Sequence, residues 1–307
     1  MVSVVVLTYN QEQYVEEMLE SIVSQKHDFP YELLVGDDCS TDHTRDIILK
    51  YQEKYPSIVV PVFNEKNLGV VQNYYKIISM CRGKYIMECG GDDYWLPDKL
   101  QNQVDYMEAH PETDLLCACS LSYDQQRKRI EKRIWGSEHV SYEDLMRQVP
   151  ISAQTMCFKR SLMEEYREQV HPERRDWKME DIPFLLWLSL KYRIDFVDEK
   201  VAVYRVLSDS MSHRADIKKR LQFERNWFEV LMYFSNRKNR KEVRDNYRRK
   251  VAILYYYYGY YREYQRCLRK CDPHTIPLSY KIIYLTTFFP GIRAGVRKVC
   301  RMIKGTL

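Results

Sequence analysis

The chain carries the tripeptide Gly-Asp-Asp twice, as Gly36-Asp37-Asp38 in YELLVGDDCSTDHT and as Gly91-Asp92-Asp93 in KYIMECGGDDYWLPDKL. Both copies close an apolar, strand-like run. A glycine there permits a tight exit from the strand and close backbone approach. Adjacent carboxylates repel each other and resist burial, so a purely structural pair needs basic partners. A divalent cation supplies the same compensation, because Mg2+ and Mn2+ take oxygen ligands and are held by one or two carboxylates together with phosphate oxygens. The alternative is that the acids cap the following helices at their positive N-termini. Two such pairs at two strand ends, in a chain whose first apolar run ends in LTYN, favour a ligand. A third acidic pair, Glu180-Asp181, opens the apolar stretch IPFLLWLSL. Residue type alone leaves it open between first-turn acids on a helix dipole and a functional pair.

These acids need a scaffold. SVVVL, YELLV, SIVVPVF and KYIMEC read as strands, and QEQYVEEMLESIVSQ, DHTRDIILKYQEKY, GVVQNYYKIISMC and DKLQNQVDYMEAH as the helices that follow them. Tyr14, Met18, Leu19 and Ile22 share one face of the first helix. Ser40 and Thr41 are N-cap candidates for the second, Pro56 ends it, and Pro97 has the place of a first-turn proline in the fourth. Strand and helix alternating at this interval predict an α/β domain, with a mostly parallel sheet, helices on both faces and right-handed crossovers. In such sheets ligands sit beyond the carboxyl ends of the strands, where both Gly-Asp-Asp segments fall. From TDLLCACSLSY to VAVYRVL the pattern mixes strands and helices, consistent with the far side of the same sheet. After Ser212 it turns helical throughout, and the tyrosines at 255–258 read as packing on helix faces. The expected division is 1–213 and 214–307.

At 307 residues with 45% hydrophobic content, the chain is expected to be globular. Nine cysteines without zinc-like spacing predict reduced packing thiols. The absence of a spanning apolar run and of an N-terminal signal segment predicts a cytoplasmic protein. Charge divides unevenly: from Arg214 onward there are 23 Lys and Arg against 7 Asp and Glu, and before it 25 against 36. The acidic part suits a metal, and the basic part suits a polyanion such as nucleic acid or anionic lipid. YKIIYLTTFFPGIRAGVRKVCRMIK pairs an aromatic-aliphatic stretch with five basic residues after Pro290, as membrane-surface helices do.

Taken in order and spacing, SVVVLTYNQEQYV, SIVSQ, YELLVGDDCSTDHT, NLGVVQNYYKII and GKYIMECGGDDYW resemble the nucleotide-sugar domain of family 2 glycosyltransferases, from about Ser3 to Ser212. The resemblance implies the GT-A fold, a Rossmann-like, mostly parallel sheet flanked by helices, here followed by an all-helical C-terminal region. It implies transfer of a sugar from a UDP-sugar donor to a saccharide hydroxyl, with Mn2+ or Mg2+ as cofactor, in surface polysaccharide or glycan biosynthesis. Leu7, Thr8 and Tyr9 resemble the first-strand loop that contacts the uracil, with Tyr9 stacking on it. Asp38 matches the acid that accepts a hydrogen bond from the base. Asn67 and Asn73 fall in the segment near the nucleotide. Asp92 matches the acid beside the ribose and Asp93 the metal ligand; the family's more usual Asp-x-Asp is Gly91-Asp92-Asp93 here, so metal binding rests mainly on Asp93. Asp181 matches the general base of the family's Glu-Asp motif, with Glu180 beside it on the acceptor side, and a single base opposite the leaving group implies inversion. Trp177 is either a sugar-stacking or a core residue. His213, in the loop after the last sheet strand, is the candidate to reach the metal or a phosphate, with Arg205 next in line. Lipid-linked saccharides are frequent acceptors in this class, which places such an enzyme on the inner face of a membrane.

Four other readings compete, one of them a signalling receiver, which also gathers acids and magnesium at strand ends but is far shorter and leaves the acid at 181 without a role. A sugar-nucleotide pyrophosphorylase needs a glycine-rich, basic triphosphate loop near its start, and LTYNQEQY lacks both features. A glycosidase pairs carboxylates but uses neither nucleotide nor metal. A nucleic-acid-binding protein built on the basic tail is the disfavoured alternative, marked by salt-sensitive DNA binding without UDP binding.

Overall fold

In the computed structural model, which describes residues 1–207 and 216–289 together with 291, 295 and 296, the β-branched runs and amphipathic stretches form the expected alternation. It runs β1 (Val2–Thr8), α1 (Val15–Val23), β2 (Tyr31–Asp37), α2 (Thr44–Lys54), β3 (Val59–Phe63), α3 (Val70–Ile78) and β4 (Tyr85–Gly90). These strands pair in parallel in the order β3-β2-β1-β4, so their carboxyl ends lie along one edge. Side chains alternate across the sheet. Val4, Val6, Leu33, Val35 and Met87 meet Met18, Leu19 and Ile22 of α1 in one apolar core.

The later elements are β5 (Tyr94–Trp95), α4 (Lys99–Ala109), β6 (Leu115–Asp124), β7 (Arg129–Trp135), α5 (Tyr142–Arg147), β8 (Cys157–Lys159), α6 (Arg160–Val170), α7 (Asp181–Leu188) and β9 (Ile194–Val206). They extend the sheet as β4-β8-β6-β9-β5, with β7 on β6. Here the sheet is mixed rather than parallel. The three-residue β8 runs antiparallel to both neighbours, while β6 and β9 run parallel to each other.

Two helix starts differ from expectation. α2 begins at Thr44, whose backbone N–H donates to Asp42 Oδ1 at 3.0 Å, leaving Ser40 and Thr41 outside the helix. Pro97 precedes the left-handed Asp98 (φ 66°), so it stands before the first turn of α4 and not in it.

The chain divides into two compact units, Met1–Leu207 and Ser208–Leu307. The described part of the second consists of α8 (Ile217–Phe234), α9 (Arg240–Tyr258), α10 (Tyr261–Leu268) and α11 (Leu278–Thr286). Gly259, at φ 88°, takes the left-handed position that ends α9, which splits one long helical pattern into two. The tyrosine cluster is packing: Tyr256 and Tyr264 are fully buried, 5.4 Å apart, in a core with Ala252 and Leu268.

Candidate active site

The carboxyl ends of β1, β2 and β4 are in register, with Thr8 opposite Asp37 and Leu7 opposite both Gly36 and Gly90. Backbone bonds continue across the strand ends: Asp38 N–H donates to Thr8 O and Gly91 N–H to Leu7 O, each at 2.9 Å. Both Gly-Asp-Asp segments therefore meet at one edge. Beside them the loop after β1 is clasped to the loop after β2. Asn10 N–H donates to Ser40 Oγ at 2.8 Å, Thr41 N–H to Asn10 Oδ1 at 2.8 Å, and Gln11 N–H to Thr44 Oγ1 at 2.8 Å. Asn10 (φ 52°) and Cys39 (φ 66°) hold left-handed backbone there, a strained arrangement that the clasp stabilises. Ser40 and Thr41 thus fasten a loop instead of capping a helix. The clasp leaves Tyr9 48% exposed, with its ring open to a stacking partner.

The first acid pair divides its work. Asp37 is fully buried; its Oδ2 accepts from Arg45 Nε and from Ser40 N–H, and its Oδ1 has no partner within the protein. Asp38 holds the loop before α3: Oδ1 accepts from Asn64 Nδ2 (2.9 Å) and Leu68 N–H (2.8 Å), and Oδ2 from Gly69 N–H (2.8 Å). With a single donor, Oδ2 keeps capacity for another. Asn67 is exposed in this loop, its Nδ2 donating to Asp38 O at 3.1 Å. Asn73 is placed otherwise. It is buried, its Nδ2 donates to Gly36 O and its Oδ1 accepts from Asn64 Nδ2, both at 2.9 Å, so it braces β2 against the loop before α3. Asn64, which sequence reasoning passed over, is the centre of this brace and also accepts from Lys76 Nζ at 2.6 Å. Gly36 makes the approach of α3 feasible, since a Cβ there would stand 1.9 Å from Ile77 Cδ1.

The second pair is tighter. A Cβ on Gly91 would lie 2.2 Å from Gln11 Oε1 and 3.0 Å from Leu7 O, and one on Gly90 would lie 3.1 Å from Asp92 Oδ1. Asp93 is buried, and burial together with the neighbouring Asp92 charge pushes its carboxyl well above the usual range. Burial raises Asp92 as well. Arg205, on β9, looks like the compensating cation, yet only its backbone N–H reaches a carboxylate, Asp93 Oδ1 at 2.8 Å. Its guanidinium donates to Asp92 O (2.7 Å), Gln125 Oε1 (2.7 Å) and Glu17 Oε2, and lies 5.0–5.4 Å from the ring centres of Tyr14, Tyr94 and Tyr123. Arg205 is a buried tether for the acid loop, in place of the phosphate ligand expected. Among the described residues, no Lys, Arg or His side chain forms an ion pair with Asp92 or Asp93. Two adjacent carboxyls without a cation fit a divalent ion. Nearby Thr8 Oγ1 and Gln11 Oε1 are buried without a protein partner, so the edge has polar capacity to spare. No three His, Cys, Asp or Glu among the described residues gather into a complete metal site. His213 lies outside the described residues.

A third acid group joins the start of α7 to Glu88 of β4. Glu180 precedes α7, and Asp181, half-buried, opens it, with Oδ1 accepting from Ile182 N–H at 2.8 Å. Burial raises both, and Glu180 is raised further by the charges of Asp181 and Glu88. Glu88, mid-strand in β4 and 6% exposed, is pushed up to about 8 by burial, assisted by Asp181 and opposed by the Tyr74 hydroxyl that donates to Oε1 and by Lys99. Glu88 was not anticipated, although a lone acid inside the apolar run YIMEC is a visible signal. Trp177 is buried, with the Arg175 guanidinium 5.1 Å above its ring, which favours the core alternative over an open sugar platform.

A parallel half-sheet with acids and an exposed tyrosine at its strand ends is the arrangement in which open α/β proteins hold their ligands. Residues 3–167 match the model of Glycosyl transferase family 2, and the chain belongs to that family. It is 28% identical over 221 residues to the putative teichuronic acid biosynthesis glycosyltransferase TuaG of Bacillus subtilis, covering 69% of this chain and 81% of that one. It is 26% identical over 219 residues to the amylovoran biosynthesis glycosyltransferase AmsE of Erwinia amylovora, covering 70% and 79%. Uncharacterised proteins of Mycobacterium bovis and Mycobacterium tuberculosis are 44% identical over 112 residues, but that match spans only 32% of their length and 36% of this chain. In fold, the chain resembles Staphylococcus aureus TarS 1-349 in complex with UDP-GlcNAc (TM-score 0.59, 18% identity, 87% of this chain and 89% of that one). It also resembles the Pyrobaculum calidifontis mannosyltransferase PcManGT in complex with GDP-Man and Mn2+ (TM-score 0.58, 18% identity, 95% and 80%). The fold is therefore GT-A, with a helical C-terminal region added.

Proposed function

We propose that this protein is an inverting, metal-dependent hexosyltransferase that moves a sugar from a UDP-sugar to a saccharide hydroxyl in the synthesis of a surface polysaccharide. The observation that carries the reading is the Asp92–Asp93 pair, Asp93 buried and Asp92 half-buried, at the same edge as the exposed Tyr9 ring and without an ion-pair partner among the described residues. UDP would bring its diphosphate and a Mn2+ or Mg2+ ion to those carboxyls. Tyr9 would stack on the uracil, the backbone of Leu7 and Thr8 would flank it, and Asp38 Oδ2 would accept from the base. Asn67 lies on the loop that Asp38 holds. Asp92 would face the ribose and Asp93 the ion, which when bound supplies charge neutralisation for a departing diphosphate. Asp181 would take the proton from the attacking hydroxyl; burial sets its carboxyl above the ordinary range, nearer the pH at which a base both holds and releases a proton. Glu180 would border the acceptor. Support for a nucleotide-sugar comes from the UDP-GlcNAc and GDP-Man complexes of the fold relatives, and for the metal from the Mn2+ in one of them. A lipid-linked acceptor would place the work on the cytoplasmic face of a membrane.

Calorimetry with UDP in the presence and absence of Mn2+ tests the donor reading. Binding should require the metal and should be lost in Asp93→Ala; metal-independent binding, or binding retained in the variant, removes Asp93 from the role. Asp181→Ala should bind UDP as the wild type does and slow transfer by about 10²-fold or more. Transfer at the wild-type rate would assign the base elsewhere.

A further inference from the structure

Helix α11 of the C-terminal unit has two apolar faces, and only one of them is used. Tyr280, Ile283 and Tyr284 pack against the buried cluster of Ala252, Tyr256, Tyr264 and Leu268. On the opposite side Leu278, Ile282 and Leu285 are 72%, 54% and 61% exposed. Phe288 and Phe289 are 55% and 57% exposed in the hydrogen-bonded turn that continues the helix, with Phe288 N–H donating to Leu285 O and Phe289 N–H to Thr286 O. At 3.6 residues per turn, Leu278, Ile282, Leu285 and Phe289 fall within a sector of about 60°. Beside this stripe runs a largely apolar groove of about 330 Å³, lined by Leu268, Pro273, Ile276 and Leu285 among others. Single exposed apolar residues are ordinary on a protein surface, but five together form a patch that marks an interaction face.

The charge of the sequence that carries the patch and follows it says what covers it. From Pro273 to Leu307 the sequence contains no Asp or Glu, and it carries six cations: Lys281, Arg293, Arg297, Lys298, Arg301 and Lys304. Large apolar side chains followed in sequence by cations and no acids complement an anionic lipid surface, where apolar groups enter the acyl boundary and cations remain among the phosphates. No helix among the described residues is long and apolar enough to cross a membrane.

We propose that the outward side of α11 and of the turn after it, formed by Leu278, Ile282, Leu285, Phe288 and Phe289, docks on an anionic lipid bilayer. This deepens the reading of a lipid-linked acceptor and rests on it for its purpose, while its measurement needs no enzyme activity. The test is co-sedimentation of the full chain with phosphatidylcholine vesicles with and without phosphatidylglycerol, at low and high salt. The expected result is binding only to the anionic vesicles, weakened by salt. Ile282→Glu/Leu285→Glu should weaken it by about tenfold or more with the helical signal and UDP affinity unchanged. Arg297→Ala/Lys298→Ala/Arg301→Ala should weaken it and flatten its salt dependence. Equal binding to neutral and anionic vesicles overturns the proposal, as does wild-type binding by the Glu variant. A dimer of the wild type in sedimentation that the Glu variant dissolves, with no vesicle binding by either, would assign the face to a second copy of the chain instead. Vesicle binding without UDP binding leaves the docking face standing and removes the transferase reading.

Discussion

Replacing Glu88 by Gln should stabilise the protein in a way that grows with pH. The carboxyl is raised from 4.5 to about 8 because β4 carries it into the interior, where it is 6% exposed. The groups that face it are Tyr74 from α3, Lys99 from α4, and Glu180 with Asp181 at the start of α7. A carboxyl whose pKa is raised on folding favours the fold in its protonated form. Its contribution is therefore complete below about 4.5 and is lost as pH rises through about 8. Each pH unit inside that window removes about 1.4 kcal/mol. From about pH 5.5 to about pH 7.5, the wild type should lose about 2–3 kcal/mol more than Glu88→Gln, whose amide is neutral throughout and whose oxygen still accepts from the Tyr74 hydroxyl. The window stops there because Lys99, pushed down to about 8 by burial, begins to change charge above it. Asp181 and Glu180 titrate in both proteins, so they cancel in the difference except for their mutual charge effects with Glu88: Asp181 raises Glu88, and Glu88 raises Glu180. The measurement is urea unfolding of both proteins across the window. Curves that differ by a constant would falsify the reasoning, because they would mean that Glu88 is ionised in the fold throughout.

Two further substitutions separate ligand contacts from scaffold. Gly91→Ala places a Cβ 2.2 Å from Gln11 Oε1, which can swing aside, and 3.0 Å from Leu7 O, which is backbone and cannot. It should cost about 1–3 kcal/mol of stability, and UDP affinity should fall by about tenfold as the acid loop shifts; unchanged affinity in calorimetry would detach this loop from the donor site. Asn73→Ala strips the donor from Gly36 O and the acceptor from Asn64, so it should cost about 1–3 kcal/mol in urea unfolding. UDP affinity of the folded variant should stay within about threefold, whereas a loss of about tenfold would restore Asn73 to the nucleotide side.

The parallel half of the sheet was legible because each of its strands is a β-branched run ended by a turn signal and followed by an amphipathic helix. β8 is three residues long, too short to show a period, and its antiparallel place between β4 and β6 depends on pairings far apart in the chain. The break at Gly259 was readable as a helix stop, yet the apolar pattern ran on through it. Within the site, residue type exposed the acids and the open tyrosine but not where polar atoms spend their bonds. Asn73 and Arg205 have side chains suited to a nucleotide, and both are consumed by the scaffold. Arg205 shows why this matters for function. Its guanidinium is engaged by Glu17, Gln125 and the Asp92 carbonyl, residues from α1, the end of β6 and the loop after β4 that only the closed sheet brings together. Had it turned to the carboxylates of Asp92 and Asp93 instead, it would pair with them directly, whereas from its tether it acts on them only through its field and its backbone N–H. Where that one guanidinium is tethered is not encoded locally by the pattern of residues along the chain.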